Sequence, residues 1–364
     1  MSPLKRNRKK LVVLVFLGFL VYSLSFLERK DQRLSARTRP TKKDVSENST
    51  IDMVNDYYPF VDFKLTTPRI SPTVGATKNV FMIALVMSGA DGNKFRKRRE
   101  AIRQTWGNQS TCEQRKASQD ERLKHLRWLL VFVVGKAVTG TNDDILNIAE
   151  ARQHNDMLIG NITDNYINLI LKVYMSLLWA SKFDVKYTLK ADDDVYVRIP
   201  RVLEYLVNAK FPRPFYGGLV CPRNKAKVAR RIGVKWTISY KYYGETHFPD
   251  FNRGPFYILS SDLFDKLFNY VSVRKPFHLE DVYVALAMHD SNIKATNIDS
   301  FQLSQVMHSY VLEENIQRCE MLSWIGFGHL MGQRAIKKLH LLLQSHVCKK
   351  ITLDIDYHRC NKTG

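Results

Sequence analysis

The chain has 364 residues, 25% of them charged, and carries a formal net charge of +21. A surplus this large would usually indicate a nucleic-acid-binding protein. Residues 1–43, however, hold twelve Lys and Arg against two acids, about half of the surplus, so the charge distribution argues against a nucleic-acid partner. The remaining basic charge is spread through the body, where it favours an anionic donor or a membrane surface.

The N-terminus predicts a single membrane anchor. A basic cytosolic tail, residues 1–10, precedes the charge-free apolar run 11–27, whose 17 residues are the lower limit for a spanning helix. Because the basic cluster comes first, the tail should face the cytosol and the rest of the chain the lumen of the secretory pathway. A cleaved signal peptide is the alternative, but the apolar run is long for one and no small-x-small cleavage site follows it.

Residues 28–77 are polar with scattered prolines and predict a stem, followed by one large domain over residues 78–364. N-glycosylation sequons support a lumenal body, and they stand at Asn48, Asn108, Asn161 and Asn361. The five cysteines lack metal-site spacing. In an oxidising lumen two disulfides and one odd thiol are expected, with the pairing left open.

Strands alternate with helices in the first half of this domain. Apolar runs predict strands, and helical spacing of apolar residues predicts the helices between them. The predicted strands are 80–87, 128–134 and 187–197, and the predicted helices are 95–106 and 164–181. This alternation predicts an α/β fold with a mostly parallel sheet and ligands at the carboxyl ends of its strands.

The second half is predicted as shorter elements of both kinds. The predicted strands are 215–220, 254–260 and 293–298, the predicted helices are 261–270 and 279–289, and a hairpin is predicted over 225–243.

The segment Tyr187–Val197 carries three consecutive carboxylates, Asp192, Asp193 and Asp194, through an apolar strand. Burying this charge is costly unless a cation compensates it. In a strand, Asp192 and Asp194 share one face and Asp193 takes the other. Oxygen ligands on one face suit a hard divalent cation such as Mg²⁺ or Mn²⁺. An acidic turn or a helix cap is the alternative.

A second pair of acids, Glu280 and Asp281, opens the predicted helix 279–289. Carboxylates in a first turn complement the helix dipole, which is sufficient reason for their presence. The same dipole lowers the pKa of a carboxyl, so Asp281 is also predicted to stay ionised in a mildly acidic lumen, as a general base requires.

The predicted helix 95–106 is strongly basic. Arg99 and Arg103 share one face, from which they either pair with acids of the body or approach a diphosphate. Lys97 and Arg98 are interpreted as part of a solvated face.

In this order, these motifs resemble glycosyltransferase family 31, the β-1,3-galactosyltransferase-like family. The matching stretches are R-R-E-A-I-R-Q-T-W-G (98–107), D-x-Y-x-N-L-x-x-K (164–172), K-A-D-D-D-V-Y-V (190–197), K-W (235–236), the strand before Ser260 and E-D-V-Y-V (280–284). The resemblance spans residues 78–345, and the tail, anchor and stem also resemble the type II Golgi enzymes of this family.

The resemblance implies a GT-A (Rossmann-like) fold and inverting transfer from a UDP-sugar. It assigns Asp194 to Mn²⁺ and Asp281 to the base. A His after a C-terminal Cys completes the metal site; His329 follows Cys319 at similar spacing, and His308 is the rival. Asp192 is predicted at the metal or the ribose. The remaining donor-binding residues are predicted to be Arg99, Arg103, Asp193, Lys235, Trp236 and Glu280.

The function implied is transfer of galactose from UDP-galactose to an acceptor sugar hydroxyl, forming a β-1,3 linkage in glycoprotein or glycolipid glycans. UDP-GlcNAc and UDP-GalNAc are alternative donors, and a homodimer is left open. Pro255 and Ala285 depart from the family pattern near the expected substrates. They keep open a non-catalytic, lumenal glycan-binding protein that retains the fold.

Overall fold

A seven-stranded sheet organises the computed structural model, which describes residues 61–74, 80–138, 142–231, 233–304, 307–313 and 318–348. In chain order the strands are β1 (Met82–Met87), β2 (Trp128–Lys136), β3 (Met157–Thr163), β4 (Tyr187–Asp192), β5 (Val195–Val197), β6 (Tyr216–Cys221), β7 (Phe251–Ser260), β8 (Ala295–Asn297), β9 (Phe301–Gln302) and β10 (Gly326–Gly328). The large sheet has the order β3-β2-β1-β4-β7-β6-β8, and a small one has the order β5-β10-β9.

The large sheet is mostly parallel. β1 runs parallel to both β2 and β4, β2 to β3, and β6 to β8, whereas β7 runs antiparallel to its neighbours β4 and β6. All six residues of β1 are buried, as expected for a central parallel strand covered on both faces. The predicted α/β architecture with a mostly parallel sheet is confirmed.

Helices cover both faces of the sheet. They are α1 (Asn93–Gln104), α2 (Cys112–Ala117), α3 (Asp143–His154), α4 (Leu169–Ala180), α5 (Ile199–Asn208), α6 (Phe264–Val273), α7 (Glu280–Asp290), α8 (Met307–Leu312), α9 (Arg318–Ser323) and α10 (Gln333–Val347). Alternate residues of β1 enter two separate cores, one with α1, α3, α5 and α10 and the other with α4, α6 and α7. This alternation is the two-residue period of a strand.

Two predicted elements are wrong. The predicted strand 187–197 ends at Asp192, and Asp193 and Asp194 form a turn before β5, which pairs with β10 in the small sheet. The predicted hairpin over 225–243 is not formed in the described residues; that region holds isolated bridges, such as Ala229 with Thr237. Its chain is instead held by turns and by side chains.

The end of the predicted stem, residues 61–74, packs on the domain. Val61 is 1% exposed, and the Phe63 ring lies 5.1 Å from the ring of Tyr174, centroid to centroid. Ile70 forms an antiparallel bridge to Ile159 at the outer edge of β3. The predicted boundary at residue 78 therefore leaves outside the domain a segment that covers apolar surface and a sheet edge.

A fragment of residues 61–364 is expected to be more stable than a fragment of residues 78–364. The shorter fragment exposes the surface under Val61, Phe63 and Ile70, which should lower the free energy of unfolding by about 2–4 kcal/mol. Urea denaturation of both fragments checks this, and equal midpoints would contradict the assignment of residues 61–74 to the domain.

Several predictions fall partly outside the described residues. The predicted membrane span 11–27, Asn48, Asn361 and Cys360 all lie outside the described residues. Among the helices that the structure does describe, none is long and apolar enough to cross a membrane. Asn108 lies in the loop after α1, and Asn161 is exposed on β3. Cys112 and Cys348 form a disulfide, and Cys221 is a buried free thiol.

Candidate active site

The three aspartates lie at the carboxyl edge of the sheet. Asp192 ends β4, and the backbone N–H of Asp193 donates to the carbonyl of Met87, at the end of β1, over 3.1 Å. In open α/β sheets this edge is where ligands bind. The turn therefore presents its carboxylates where the fold leaves room for a substrate.

Asp193 is tied to the protein on both oxygens. Ser88 Oγ donates to its Oδ2 at 2.7 Å, and Arg98 donates to its Oδ1 at 3.0 Å. Burial raises the pKa of Asp193 to about 6, against the opposing charge of Arg98. The prediction that Arg98 belongs to a solvated face is therefore wrong. Its side chain is 19% exposed and points toward Asp193.

Asp194 faces His329 without a hydrogen bond. Asp194 Oδ1 and His329 Nδ1 are 3.6 Å apart, too far for one, and neither buried atom has a hydrogen-bond partner among the described residues. Arg98 lies 4.0 Å from the other oxygen of Asp194. A carboxylate oxygen and an imidazole nitrogen that converge in this way fit a shared cation.

The fit to a metal is partial on the protein side. Within the described ranges, no group of three or more His, Cys, Asp or Glu side chains is arranged to hold a metal ion. Small divalent cations are often held by one or two carboxylates together with substrate phosphates and water, so two converging ligands are compatible with such a site. The rival ligand His308 cannot be compared, because its side chain lies outside the described part of the chain.

Lys190 connects the aspartates to the second acidic pair. Its buried ammonium donates to Asp192 Oδ1 at 2.6 Å and to the carbonyl of Gly254, and it lies 3.7 Å from Glu280 Oε2. Burial alone would lower the pKa of Lys190, but the charges of Asp192 and Glu280 outweigh it and raise the pKa. The site therefore holds one permanent cation between its two acidic halves.

Asp281 is oriented by two backbone donors. Gly254 N–H donates to its Oδ2 at 3.0 Å, and the N–H of Val282 donates to its Oδ1 at 2.9 Å. A Cβ at position 254 would lie 3.2 Å from Oδ2, so the close approach of this strand favours glycine. Asp281 is partly exposed at the start of α7, so that a substrate can contact it.

The predicted low pKa of Asp281 is wrong. Burial raises the pKa of this carboxyl above its usual value, against the N–H of Val282, the charge of Lys190 and the N–H of Gly254. The helix dipole would dominate in a first turn open to solvent, whereas desolvation is the larger effect in this crowded site.

Glu280 is the more deeply buried of the pair, at 3% exposure, and Tyr257 donates its hydroxyl to Glu280 Oε1. Burial raises the pKa of Glu280 to about 7; Lys190 opposes this rise and Asp281 adds to it. Glu280 therefore lies beneath the site surface, where it supports Lys190 and Tyr257.

Arg99 and Arg103 form ion pairs with acids of the domain. Their predicted role in binding the donor substrate is therefore wrong. Arg99 is fully buried and donates to both oxygens of Glu150. Arg103 donates to Glu150 at 2.7 Å and to both oxygens of Asp156. These pairs fix α1 to α3 and the start of β3, and a guanidinium so engaged has little left for a diphosphate.

Lys235 and Trp236 lie on the segment between β6 and β7, residues 222–250, which is described except for position 232 and is called the basic loop below. The Lys235 ammonium lies 4.0 Å from the centre of the Tyr166 ring, and Trp236 is 58% exposed. The interaction with Asp194 raises the pKa of His329, and the nearby charge of Lys235 opposes that rise.

The two departures from the family pattern are accommodated. Pro255 falls beyond the last pair of the β4–β7 ladder, which ends at Phe256, and opposite an irregularity in the β6–β7 pairing, so neither neighbouring strand loses a ladder bond to it. Ala285 is 1% exposed in the core beneath α7. Neither residue disturbs the bond from Gly254 to Asp281.

The sequence-based assignments missed Lys190, Ser88, Arg98 and Gly254 as residues of the site. Lys190 carried a signal, since a lysine inside an apolar strand needs partners. Ser88, Arg98 and Gly254 carried none, because their contacts depend on which strand ends the fold brings together.

Replacing Lys190 with methionine is expected to lower the free energy of unfolding by about 3–5 kcal/mol at pH 8, because buried carboxylates lose their cation. The loss should shrink below pH 7, where Glu280, with its pKa of about 7, takes up a proton and no longer needs the charge. Urea denaturation at both pH values measures this.

Lys186→Met is the matched control, since Lys186 pairs with Asp184 at 2.9 Å on the surface just before β4. Its cost should stay below about 1 kcal/mol. Equal effects of the two substitutions would contradict the central placement of Lys190.

A cavity of about 430 Å³ lies elsewhere, lined by residues of α2 and α5 and by the end of α10. None of the predicted site residues lines it.

A family model described as Galactosyltransferase matches residues 97–299, which hold the three aspartates 192–194 and the Glu280–Asp281 pair. UDP-GalNAc:beta-1,3-N-acetylgalactosaminyltransferase 1 of Rattus norvegicus is 30% identical over 233 residues, covering 63% of this chain and 65% of that relative. Its Homo sapiens counterpart is 26% identical over 280 residues, covering 74% and 77%. Beta-1,3-galactosyltransferase 1 of Mus musculus is 27% identical over 223 residues, covering 59% and 62%.

Proposed function

Because the chain belongs to the galactosyltransferase family, we propose that it is an inverting, metal-dependent hexosyltransferase that moves galactose from UDP-galactose to an acceptor sugar hydroxyl in a β-1,3 linkage. One observation carries the proposal. Lys190 donates to Asp192, at the end of β4, and to Gly254, and Gly254 donates to Asp281. The three aspartates, which would face the donor, and Asp281, which would face the acceptor, therefore form one site.

In this proposal Asp281 is the base. Its two backbone donors fix the carboxylate, and its raised pKa makes it a stronger proton acceptor than a free aspartate. It takes the proton of the acceptor hydroxyl as that oxygen attacks the anomeric carbon. The bond from that carbon to UDP breaks on the opposite side, so the α-linked donor gives a β-linked product. One base suffices, since the departing UDP needs no proton from an acid.

Asp194 and His329 are the proposed metal ligands, with Asp192 as a further candidate whose side chain is 27% exposed. Support comes from the two facing polar atoms that lack a hydrogen bond. When bound, Mn²⁺ would supply positive charge that neutralises the departing diphosphate. Asp193 and Arg98 hold the turn in place, and Lys190 lies between Asp192 and Glu280.

The proposed location is the Golgi membrane, in a type II orientation with the domain in the lumen. The N-terminal pattern of basic tail, apolar span and polar stem supports it. The disulfide between Cys112 and Cys348 adds support, because such bonds persist in oxidising compartments. UDP-GalNAc stays the first alternative donor, in view of the name of the rat relative.

The full chain in neutral detergent, given a panel of UDP-sugars with Mn²⁺, tests the proposal through UDP release. We expect turnover of UDP-galactose or of one close N-acetylated donor, and its loss with a chelator. Absence of turnover with every donor would overturn the enzyme and favour the glycan-binding alternative.

A further inference from the structure

The basic loop concentrates exposed positive charge beside the site. Residues 222–250 contain seven Lys and Arg but two acids, Glu245 and Asp250. Two of the cations are used within the loop. Arg230 donates to three backbone carbonyls, and Arg223 lies 3.9 Å from Glu245.

The other five cations are exposed, and none of them forms an ion pair with a described residue: they are Lys225, Lys227, Arg231, Lys235 and Lys241. Their backbone is nevertheless well held. Ala226 and Val228 are buried, and their backbone groups bond to Phe248 and Thr246, each at 2.9 Å. Because these positions alternate with Lys225 and Lys227, the two lysines are fixed on the outer face of the loop.

The loop is placed to reach an acceptor. It leaves from the end of β6 and returns at the start of β7, three residues before Gly254, the donor to Asp281. Lys235 lies over the ring of Tyr166, and that ring packs against His278, two residues before Glu280. Groups on this loop can therefore contact a molecule whose hydroxyl lies at Asp281.

Two aromatic side chains stand among these cations. Trp236 and Tyr240 are 58% and 53% exposed, and the guanidinium of Arg230 lies 3.9 Å from the centre of the Tyr240 ring. This contact holds Tyr240 in place although its ring is half open to solvent. Rigid, exposed aromatic side chains with polar tips are typical of recognition surfaces.

We propose that the basic loop binds an anionic sugar of the acceptor, one that carries a carboxylate or a sulfate, while the neighbouring hydroxyl faces Asp281. The inference rests on the proposed function and adds a substrate class to it. The five cations without an ion pair to a described residue create a positive potential that attracts an anionic partner. The exposed rings of Trp236 and Tyr240 can pack against the apolar faces of a saccharide.

Binding of matched oligosaccharides to the full chain, with UDP and Mn²⁺ present, tests the proposal at low salt. Three ligands share one neutral core, and two of them add a sialic acid or a sulfate. We expect at least one acidic ligand to bind about tenfold more tightly than the neutral core, a preference that weakens as salt rises. Equal affinity for all three ligands would overturn the proposal.

The variant Lys225→Ser/Lys227→Ser/Arg231→Ser should remove most of this preference and leave UDP release in the absence of any acceptor unchanged. Its matched control, Lys97→Ser/Lys182→Ser/Lys266→Ser, removes equal charge from exposed positions elsewhere and should keep the preference. Equal losses in the two triple variants would show general charge attraction and overturn the proposal. Failure of the proposed function is separate, since it appears as absent UDP release in the wild type.

Discussion

Replacing Asp281 with asparagine is expected to lower kcat for sugar transfer by about 10²–10⁴-fold while UDP binding persists, because the amide cannot take the acceptor proton. Asparagine keeps the shape of the side chain and one acceptor oxygen for Gly254 or Val282, so the fold should survive. Transfer rates and UDP affinity of the two proteins measure this. Near-normal transfer by the variant would remove Asp281 from the role of base.

The wild-type rate should also respond to acid earlier than a free aspartate would predict. Burial raises the pKa of Asp281, so the active, ionised form is lost at a higher pH as the solution is acidified. A profile of kcat/KM against pH reports this limb.

Glu280→Gln is the matched control for Asp281→Asn. Glu280 has a pKa of about 7, so at pH 6 the wild-type side chain is mostly protonated and glutamine resembles it. Activity at pH 6 should fall by less than about tenfold, with a larger effect at pH 8, where the wild type carries the charge. A loss at pH 6 as large as that of Asp281→Asn would assign the base to the wrong carboxyl.

Replacing Asp194 with alanine is expected to weaken Mn²⁺ binding by more than about 100-fold and to remove metal-dependent transfer. Loss of a residue that only supports a ligand already costs 10–100-fold in metal affinity, and loss of the ligand costs more. Calorimetric titration with Mn²⁺ in the presence of UDP measures the effect. His329→Ala should behave similarly, whereas His308→Ala should not.

Metal affinity should also fall in acid. The interaction with Asp194 raises the pKa of His329, so a proton competes with the metal at that nitrogen more strongly than at a free histidine. Unchanged Mn²⁺ affinity in Asp194→Ala, or in His329→Ala, would contradict the proposed ligand pair.

The parts of this site that lie within one motif could be predicted from the sequence, and the parts that depend on tertiary contacts could not. The apolar flanks of Asp192 placed it on a strand, and β4 does end there. The turn at Asp193 and Asp194 carries no Gly or Pro signal; it forms where the chain leaves the large sheet so that β5 can pair with β10. Local propensity cannot predict this pairing, because β5 and β10 are far apart in the sequence.

Charge gave the least reliable predictions. Arg98 and Arg99 look alike in a basic run, yet one contacts Asp193 and the other is fully buried against Glu150. The pKa of Asp281 was predicted from the helix dipole, but the packing of Gly254 and Lys190 around it sets its surroundings. Burial depends on residues distant in sequence, so a periodicity argument cannot supply it.

The anomeric configuration of the product is the most direct test of the central claim, that one carboxylate base and a bound metal ion carry out a single displacement. The full chain is given an α-linked UDP-sugar and an acceptor sugar, and nuclear magnetic resonance of the disaccharide product determines that configuration. We expect a β-1,3-linked product from the wild type, and the same product from Asp281→Asn only at the rate lowered by about 10²–10⁴-fold. An α-linked product would contradict a single displacement with Asp281 as its base.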